Sequence, residues 1–137
     1  MKLGTVFTSL ELLACERIRA FATAQWRKVL MEKADVILTP MMQMTSVQRP
    51  PGSDVAGFSD LALIVEMLRY VWPGNLAGLP GLAVPTGVDS AGLPISMQVI
   101  CAHWHEADCL AVGREIEKIY ESERSIPPAE VFVDLLS

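Results

Sequence analysis

The chain has 137 residues, of which 51% are hydrophobic, and its formal net charge is −5 at pH 7. Because the basic residues are dispersed along an acidic chain, we expect no nucleic-acid partner and no attraction to an anionic membrane. No apolar run approaches the roughly 20 residues that span a bilayer, so we expect no transmembrane segment. The length is most simply one domain, residues 1–137. The apolar excess predicts a surface that self-association or another part of a longer chain covers.

A helix is predicted over residues 8–33. Thr8 and Glu11 have the spacing of a capping box, in which each side chain bonds a backbone N–H group of the other residue. Apolar residues recur on this segment at helical spacing and predict a buried stripe: Leu10, Ala14, Ile18, Phe21 and Val29.

A short apolar run, Val36–Leu38, reads as a strand buried on both faces, and Thr39-Pro40 ends it because proline lacks a ladder donor. Residues 41–56 hold three methionines and two adjacent prolines, which predicts a mobile loop. We favour the interpretation that the methionine side chains fill gaps in the core. The alternative is that they form a surface that adapts to a ligand. Residues 57–71 predict a helix that is apolar on two sides and therefore buried on two sides.

Two further strands and a helix follow. "LAV" and "LPISMQVIC" flank the turn "GVDSAG" and predict a β-hairpin. On its second strand, one face should carry Ile95, Met97, Val99 and Cys101, and the other face Ser96, Gln98 and Ile100. The last helix should begin near His105 and bury Cys109 together with Val112, Ile116, Ile119 and Tyr120. These elements predict an α/β fold with a partial mixed sheet flanked by helices.

The cysteines and histidines suggest little chemistry. The chain has an odd number of cysteines without a repeated spacing: Cys15, Cys101 and Cys109. We therefore expect no disulfide framework, and we expect the protein to be located in the reducing cytoplasm. The stretch "CAHWHEADC" could bring His103 and His105 to the last two cysteines as zinc ligands. Its spacing matches no usual zinc pattern, so we favour buried cysteines and expect no metal and no cofactor.

No self-contained active site can be built from these residues. The Gly-x-Ser-x-Gly pattern of a nucleophile elbow is absent. The glycines at 74, 78 and 81 are not followed by the Lys-Ser/Thr pair of a phosphate-binding loop. One apolar stretch, "GNLAGLPGLAVPTG", nevertheless concentrates glycine and proline, which indicates a close approach of backbone to a packed neighbour or a ligand.

The order of these segments resembles the C-terminal part of the amidase signature family. Four segments occur in the order that the family shows. They are a strand ending in Thr-Pro ("ADVILTP"), an Asn-x-x-Gly-x-Pro segment ("GNLAGLPGLAVPTG"), a Gly-Leu-Pro turn into a Gln-containing strand ("GLPISMQVI") and a helix with an acidic start ("HEADCLAVGREIE"). The resemblance covers nearly residues 30–120. The apolar helix and methionine-rich loop look more like acyl-amide hydrolases, including fatty acid amide hydrolases, than like aminoacyl-tRNA amidotransferases.

The resemblance implies hydrolysis of carboxamide C–N bonds by a serine nucleophile, a second serine and a lysine. Those residues belong to upstream segments of the family, and this chain contains no Gly-Gly-Ser or Ser-Ser-Gly. We therefore expect a C-terminal fragment of a larger domain, inert alone, with no catalytic residue and with a small-molecule amide substrate only in the complete enzyme. The resemblance implies pocket-lining roles for Thr39, Pro40, Met41 and Asn75. The alternative is a stand-alone structural or interaction protein that kept the fold without catalysis.

Overall fold

A computed structural model describes residues 7–122 of the chain. Five helices and three strands occur in this part, in the order α1 (Ser9–Glu32), β1 (Val36–Pro40), α2 (Ser53–Ala56), α3 (Leu61–Met67), α4 (Trp72–Ala77), β2 (Gly81–Val88), β3 (Pro94–Cys101) and α5 (Glu106–Ile119). The strands form one sheet in the order β1-β3-β2. None of the helices in this part is both long enough and apolar enough to cross a membrane.

The sheet is built around β3, and the expected α/β fold class is confirmed. Strands β2 and β3 form the predicted hairpin, and its turn is held by Asp89, whose carboxylate accepts the N–H groups of Ala91 at 2.8 Å and Leu93 at 2.9 Å. The bond from Leu93 is the main cause of a lowered pKa for Asp89. We expected a mixed sheet, but both pairings among the described strands are antiparallel because β1 and β2 each run opposite to β3.

The main core lies between α5 and one face of the sheet. Its buried members are Val84, Val99, Cys101, Cys109 and Ile116. The alternation predicted for β3 is confirmed for Met97, Val99 and Cys101, which face this core, while Gln98 and Ile100 are buried on the opposite face. Helix α5 approaches the sheet closely at Gly113, where an added Cβ would collide with the Leu82 side chain and lie 3.3 Å from Val84 Cγ2.

Helix α1 begins with the predicted capping box but does not bury the predicted stripe. The Thr8 N–H group donates to Glu11 Oε2 at 2.7 Å, and the Glu11 N–H group donates to Thr8 Oγ1 at 3.3 Å. However, Leu10 is 79% exposed, Ile18 63% and Phe21 69%. Leu30 is the buried residue of this helix, which packs on α4. The stripe was predicted wrongly because residues 9–20, the first half of α1, are all exposed in the described part of the chain.

Strand β1 ends at Pro40 as predicted, but its expected burial on both faces is wrong. The strand lies at an edge of the sheet, and Leu38 is 49% exposed. The apolar run "VIL" therefore indicates a strand without indicating how deeply it is buried. The chain continues to follow β3 after the proline, since the Met41 N–H group donates to the Ser96 carbonyl at 2.9 Å.

The segment 57–77 divides into two short helices. Asp60 caps α3 by accepting the Leu63 N–H group at 3.1 Å, so the predicted helix over 57–71 begins later than expected. Its burial on two sides is wrong, because Leu61 and Val65 are exposed. The start of the stretch "GNLAGLPGLAVPTG" lies in α4, which ends at Gly78 in the left-handed region with φ 68°.

The structure joins Cys101 and Cys109 in a disulfide, with a Cα–Cα distance of 5.9 Å. The expectation of no disulfide is therefore wrong for this pair. Counting cysteines and comparing spacings did not account for the strand, turn and helix that bring residues eight positions apart into contact. Cys15 is free and exposed on α1.

Candidate functional site

A cavity of about 540 Å³ lies beside the end of β1, on the edge of the sheet. Its walls come from the chain around the Thr39-Pro40 corner, from the link between α3 and α4, and from the hairpin. The lining residues are 38–45, Leu68, Val71, Thr86 and 94–97. We refer to this cavity as the edge groove.

The position of the groove follows from the pairing of β1 with β3. Proline at position 40 ends the ladder, and the Met41 N–H bond to Ser96 holds the start of the methionine-rich segment on β3. Thr39 lies opposite Gln98, and its hydroxyl donates to Gln98 Oε1 at 3.3 Å. Gln98 is 7% exposed, so this bond satisfies part of a buried amide next to the groove.

The groove lining is apolar with a few hydroxyl groups. Met41, Met42 and Met44 contribute flexible thioether side chains that adapt to irregular shapes. Polar groups come from Thr39, Ser96 and other neutral residues, and none of the lining residues is an acid, a base or a histidine. This lining can bind an apolar ligand and orient it by a few hydrogen bonds, but it offers no group for proton transfer.

Three of the four residues expected to line a pocket lie together in this groove: Thr39, Pro40 and Met41. Asn75 does not line the groove. It is exposed within α4, where its N–H group donates to the Val71 carbonyl at 3.1 Å.

Several groove residues were not assigned to a site from the sequence. Leu68 and Val71 come from the end of the predicted helix over 57–71, and Met42 and Met44 from the loop. The clustering of the methionines was the sequence feature that could have indicated a site, but the favoured interpretation was that their side chains fill gaps in the packing. Their position in the groove fits the alternative interpretation, a surface that adapts to a ligand.

The cysteine and histidine cluster lies at the other end of β3. His103 Nε2 is 2.8 Å from the Ala77 carbonyl, and His105 Nδ1 is 2.7 Å from Asp108 Oδ2. The two cysteines are bonded to each other. Within residues 7–122, no three side chains of His, Cys, Asp or Glu converge as a possible metal site.

A second cavity, also of about 540 Å³, follows the seam between α5 and β2. Arg114 and Glu117 lie at this cavity, together with Leu82 and Leu110. None of the four expected pocket residues lines it, and we therefore place the candidate site in the edge groove.

Comparison with known families identifies the chain. The family model described as Amidase matches residues 2–110, which is most of the sequence. The chain belongs to the amidase family. The resemblance of its ordered segments to the amidase signature pattern is thereby confirmed.

Plant proteins are among the similar relatives of this amidase-family chain. It is 39% identical over 119 residues to the fatty acid amide hydrolase of Medicago truncatula, covering 86% of this chain and 19% of the relative. It is 37% identical over 131 residues to that of Oryza sativa subsp. indica, covering 96% of this chain and 21% of the relative. The chain thus spans about a fifth of the length of these curated relatives.

A solved structure agrees with this family assignment. It is that of a glutamyl-tRNA(Gln) amidotransferase polypeptide from Thermotoga maritima, which superposes with a TM-score of 0.63 and 29% identity. The superposition covers 74% of this chain and 21% of that structure.

Proposed function

We propose that this chain is the C-terminal part of an amidase and forms one wall of the pocket in which a carboxamide C–N bond is hydrolysed. The observation that carries the proposal is the edge groove, whose lining is apolar and without ionisable groups. Such a lining suits a wall that holds the substrate while other residues perform the chemistry. The serine pair and the lysine would lie upstream, and we assign no catalytic residue to this chain, which we propose to be inert alone.

Thr39, Pro40 and Met41 are the proposed substrate contacts. Thr39 keeps two acceptor lone pairs when its hydroxyl donates to Gln98, so it can accept a hydrogen bond from a substrate N–H group. Pro40 and Met41 provide apolar contact next to it. Asn75 lies outside this lining, and we leave it out of the proposed contacts.

The proposed substrate class is a long-chain acyl amide. The lining favours an alkyl chain, because each methylene group transferred from water to an apolar site contributes about 0.8 kcal/mol. The similarity to fatty acid amide hydrolases supports the same class. Turnover is proposed only for the complete enzyme, without a cofactor or a nucleic-acid partner, and in the cytoplasm.

Binding of a fluorescent long-chain acyl amide to the purified chain tests the groove. Leu68→Lys places a charge in the lining, and Val55→Lys on α2 is the control, because Val55 is 90% exposed and lies outside the groove. We expect the groove variant to weaken binding about tenfold or more, since the lost burial of one leucine is worth at least about 1.5 kcal/mol, and the control to leave it unchanged. Equal weakening by both variants would contradict the groove as the binding site.

Activity measurements test the proposed inertness. Aryl and long-chain acyl amides incubated with the chain alone should show no turnover above the rate in buffer. Turnover that survives replacement of every serine, and disappears on replacing Cys101 or Cys109, would contradict both the serine chemistry and the absence of a catalytic residue.

A second candidate function is that of a stand-alone structural or interaction protein. The exposed apolar side chains of α1, including Leu10, Ile18 and Phe21, favour it. We propose that this surface self-associates, either in the stand-alone protein or in a chain separated from the rest of an amidase. Sedimentation should give a dimer or larger species that Phe21→Glu dissociates, and a monomer at high concentration would contradict this.

The upstream reading frame distinguishes the two candidates. An in-frame Gly/Ser-rich segment with a serine nucleophile supports the amidase part, whereas a stop codon supports the stand-alone protein.

A further inference from the structure

Two cysteines that the groove does not use are joined at the opposite end of the sheet. Cys101 is the last residue of β3, and Cys109 lies in the first part of α5. Their Cα atoms are 5.9 Å apart, within the range that a disulfide bridges, and both residues are buried. The bond therefore connects two elements of the main core directly.

We propose that the Cys101–Cys109 pair is a reversible redox latch that fixes the start of α5 to the end of β3. The proposal is independent of the acyl-binding role of the edge groove. The bond closes a short loop, with a sequence separation of 8, and restricts the unfolded chain as well as the folded one. Reduction of the disulfide should loosen the first turn of α5 more readily than it loosens the sheet.

The surroundings of Cys109 accommodate the reduced state as well. Cys109 Sγ lies 3.7 Å from the Val99 carbonyl oxygen and 3.8 Å from that of Pro80. A reduced thiol therefore has two acceptors within reach and is not left as an unpaired buried donor. The Cys101 N–H group donates to the Pro80 carbonyl at 3.1 Å through its backbone, which reduction does not alter. These contacts of Cys109 Sγ and of the Cys101 backbone therefore do not depend on the disulfide.

Trp104, in the loop that the disulfide closes, has an unusual backbone conformation. This residue is 93% exposed and has φ 67°, in the left-handed region that a bulky side chain rarely adopts. Such a conformation persists only where its surroundings fix it. Here the disulfide closes the loop, and His103 anchors it through the Ala77 carbonyl. We therefore expect reduction to increase the motion of Trp104.

Glutathione disulfide is the oxidant class that balances the reaction. One cysteine thiolate attacks it and releases one glutathione thiolate, and the second cysteine displaces the other glutathione from the mixed disulfide. The two protons lost by the cysteines end on the two glutathione thiols. Burial requires local opening before each exchange, and in a reducing compartment such bonds are usually transient, which suits a switch.

Redox titration of the 137-residue Cys15→Ser chain tests the latch, because that variant removes the exposed third thiol. After native incubation with glutathione disulfide, alkylation in denaturant should find no free thiol, and reduced glutathione should restore both. We expect reduction to lower the melting temperature by roughly 5–10 °C. It should also speed amide exchange in the first turn of α5 more than in the β2–β3 hairpin.

The same titration of Cys15→Ser/Cys109→Ala is the control, and its melting temperature should be equal in both reagents. Three results would overturn the latch: two free thiols after oxidation, a disulfide that reduced glutathione opens only in the unfolded chain, or equal melting temperatures for the oxidised and reduced forms. The oxidised and reduced forms of the Cys15→Ser chain carry the test, so it does not depend on the folding of a variant that lacks Cys101 or Cys109.

Discussion

Helices α5 and α1 show how the same kind of sequence pattern leads to opposite environments. Both carry apolar residues at helical spacing. Ile116 of α5 is 7% exposed and packs against the sheet, whereas Ile18 of α1 is 63% exposed. The difference comes from the neighbours of each helix, because α5 lies on β2 and β3 while residues 9–20 of α1 are all exposed. A periodic pattern therefore predicts an apolar face without predicting what covers it.

The largest effect expected from this comparison is at the two isoleucines. Ile116→Ala should lower the free energy of unfolding by about 3 kcal/mol, since it removes buried methyl groups and leaves a cavity. In the Phe21→Glu background, where the α1 surface should no longer self-associate, Ile18→Ala should change the free energy of unfolding by less than about 0.5 kcal/mol. Urea titration of both variants measures the difference. Similar losses at the two positions would show that α1 is packed against another surface in solution.

Two helical glycines sharpen the comparison within the packed region. Gly113→Ala should destabilise the chain by about 1 kcal/mol net, because the clash with Leu82 exceeds the gain in helix propensity. In α4, the Cβ added by Gly74→Ala would have no atom within 4 Å. This variant should therefore stabilise the chain by about 0.5–1 kcal/mol. Thermal unfolding should therefore shift in opposite directions. A stabilising Gly113→Ala would show that α5 is not seated closely on the sheet.

The smallest effect is the pH dependence at the start of α1. The backbone hydrogen bond with Thr8 is the main cause of a lowered pKa for Glu11. A lowered folded-state pKa means that the contribution is present above the ordinary glutamate pKa and is lost as the pH falls through the folded value. Acidification should therefore increase amide exchange in the first turn of α1.

Glu11→Gln is the control for this pH effect, because it keeps the side-chain shape without the titrating carboxylate. Its first-turn exchange, after correction for the intrinsic rate, should not depend on pH through that acidic range. A wild-type α1 whose first turn is equally protected on both sides of the range would contradict the capping role of Glu11.

Local features of the fold could be read from the sequence, and features that depend on distant neighbours could not. The capping box at Thr8, the β2–β3 turn and the start of α5 near His105 each depend on residues a few positions apart. The exposure of Leu10 depends on what surrounds α1, and the disulfide depends on how β3 meets α5. Helix α4 was missed because its glycine and proline residues also suit a turn.

The candidate site could be predicted in part for the same reason. Thr39, Pro40 and Met41 are adjacent in sequence, so the resemblance to the family was enough to assign all three to the same pocket wall. Leu68 and Val71 reach the groove only through the fold of the α3–α4 link, and no spacing rule joins them to Thr39. Their contact with a substrate stays a prediction.

Methionine methyl NMR with a long-chain acyl amide tests the central proposal most directly. The groove methionines are Met41, Met42, Met44 and Met97, and Met31 on α1 is an internal control because it lies outside the groove and is 61% exposed. We predict saturable shifts of the groove methyl signals with Met31 unchanged. A shift at Met31 alone, or no saturable shift at any groove methionine, would contradict an acyl-binding wall in this amidase-family chain.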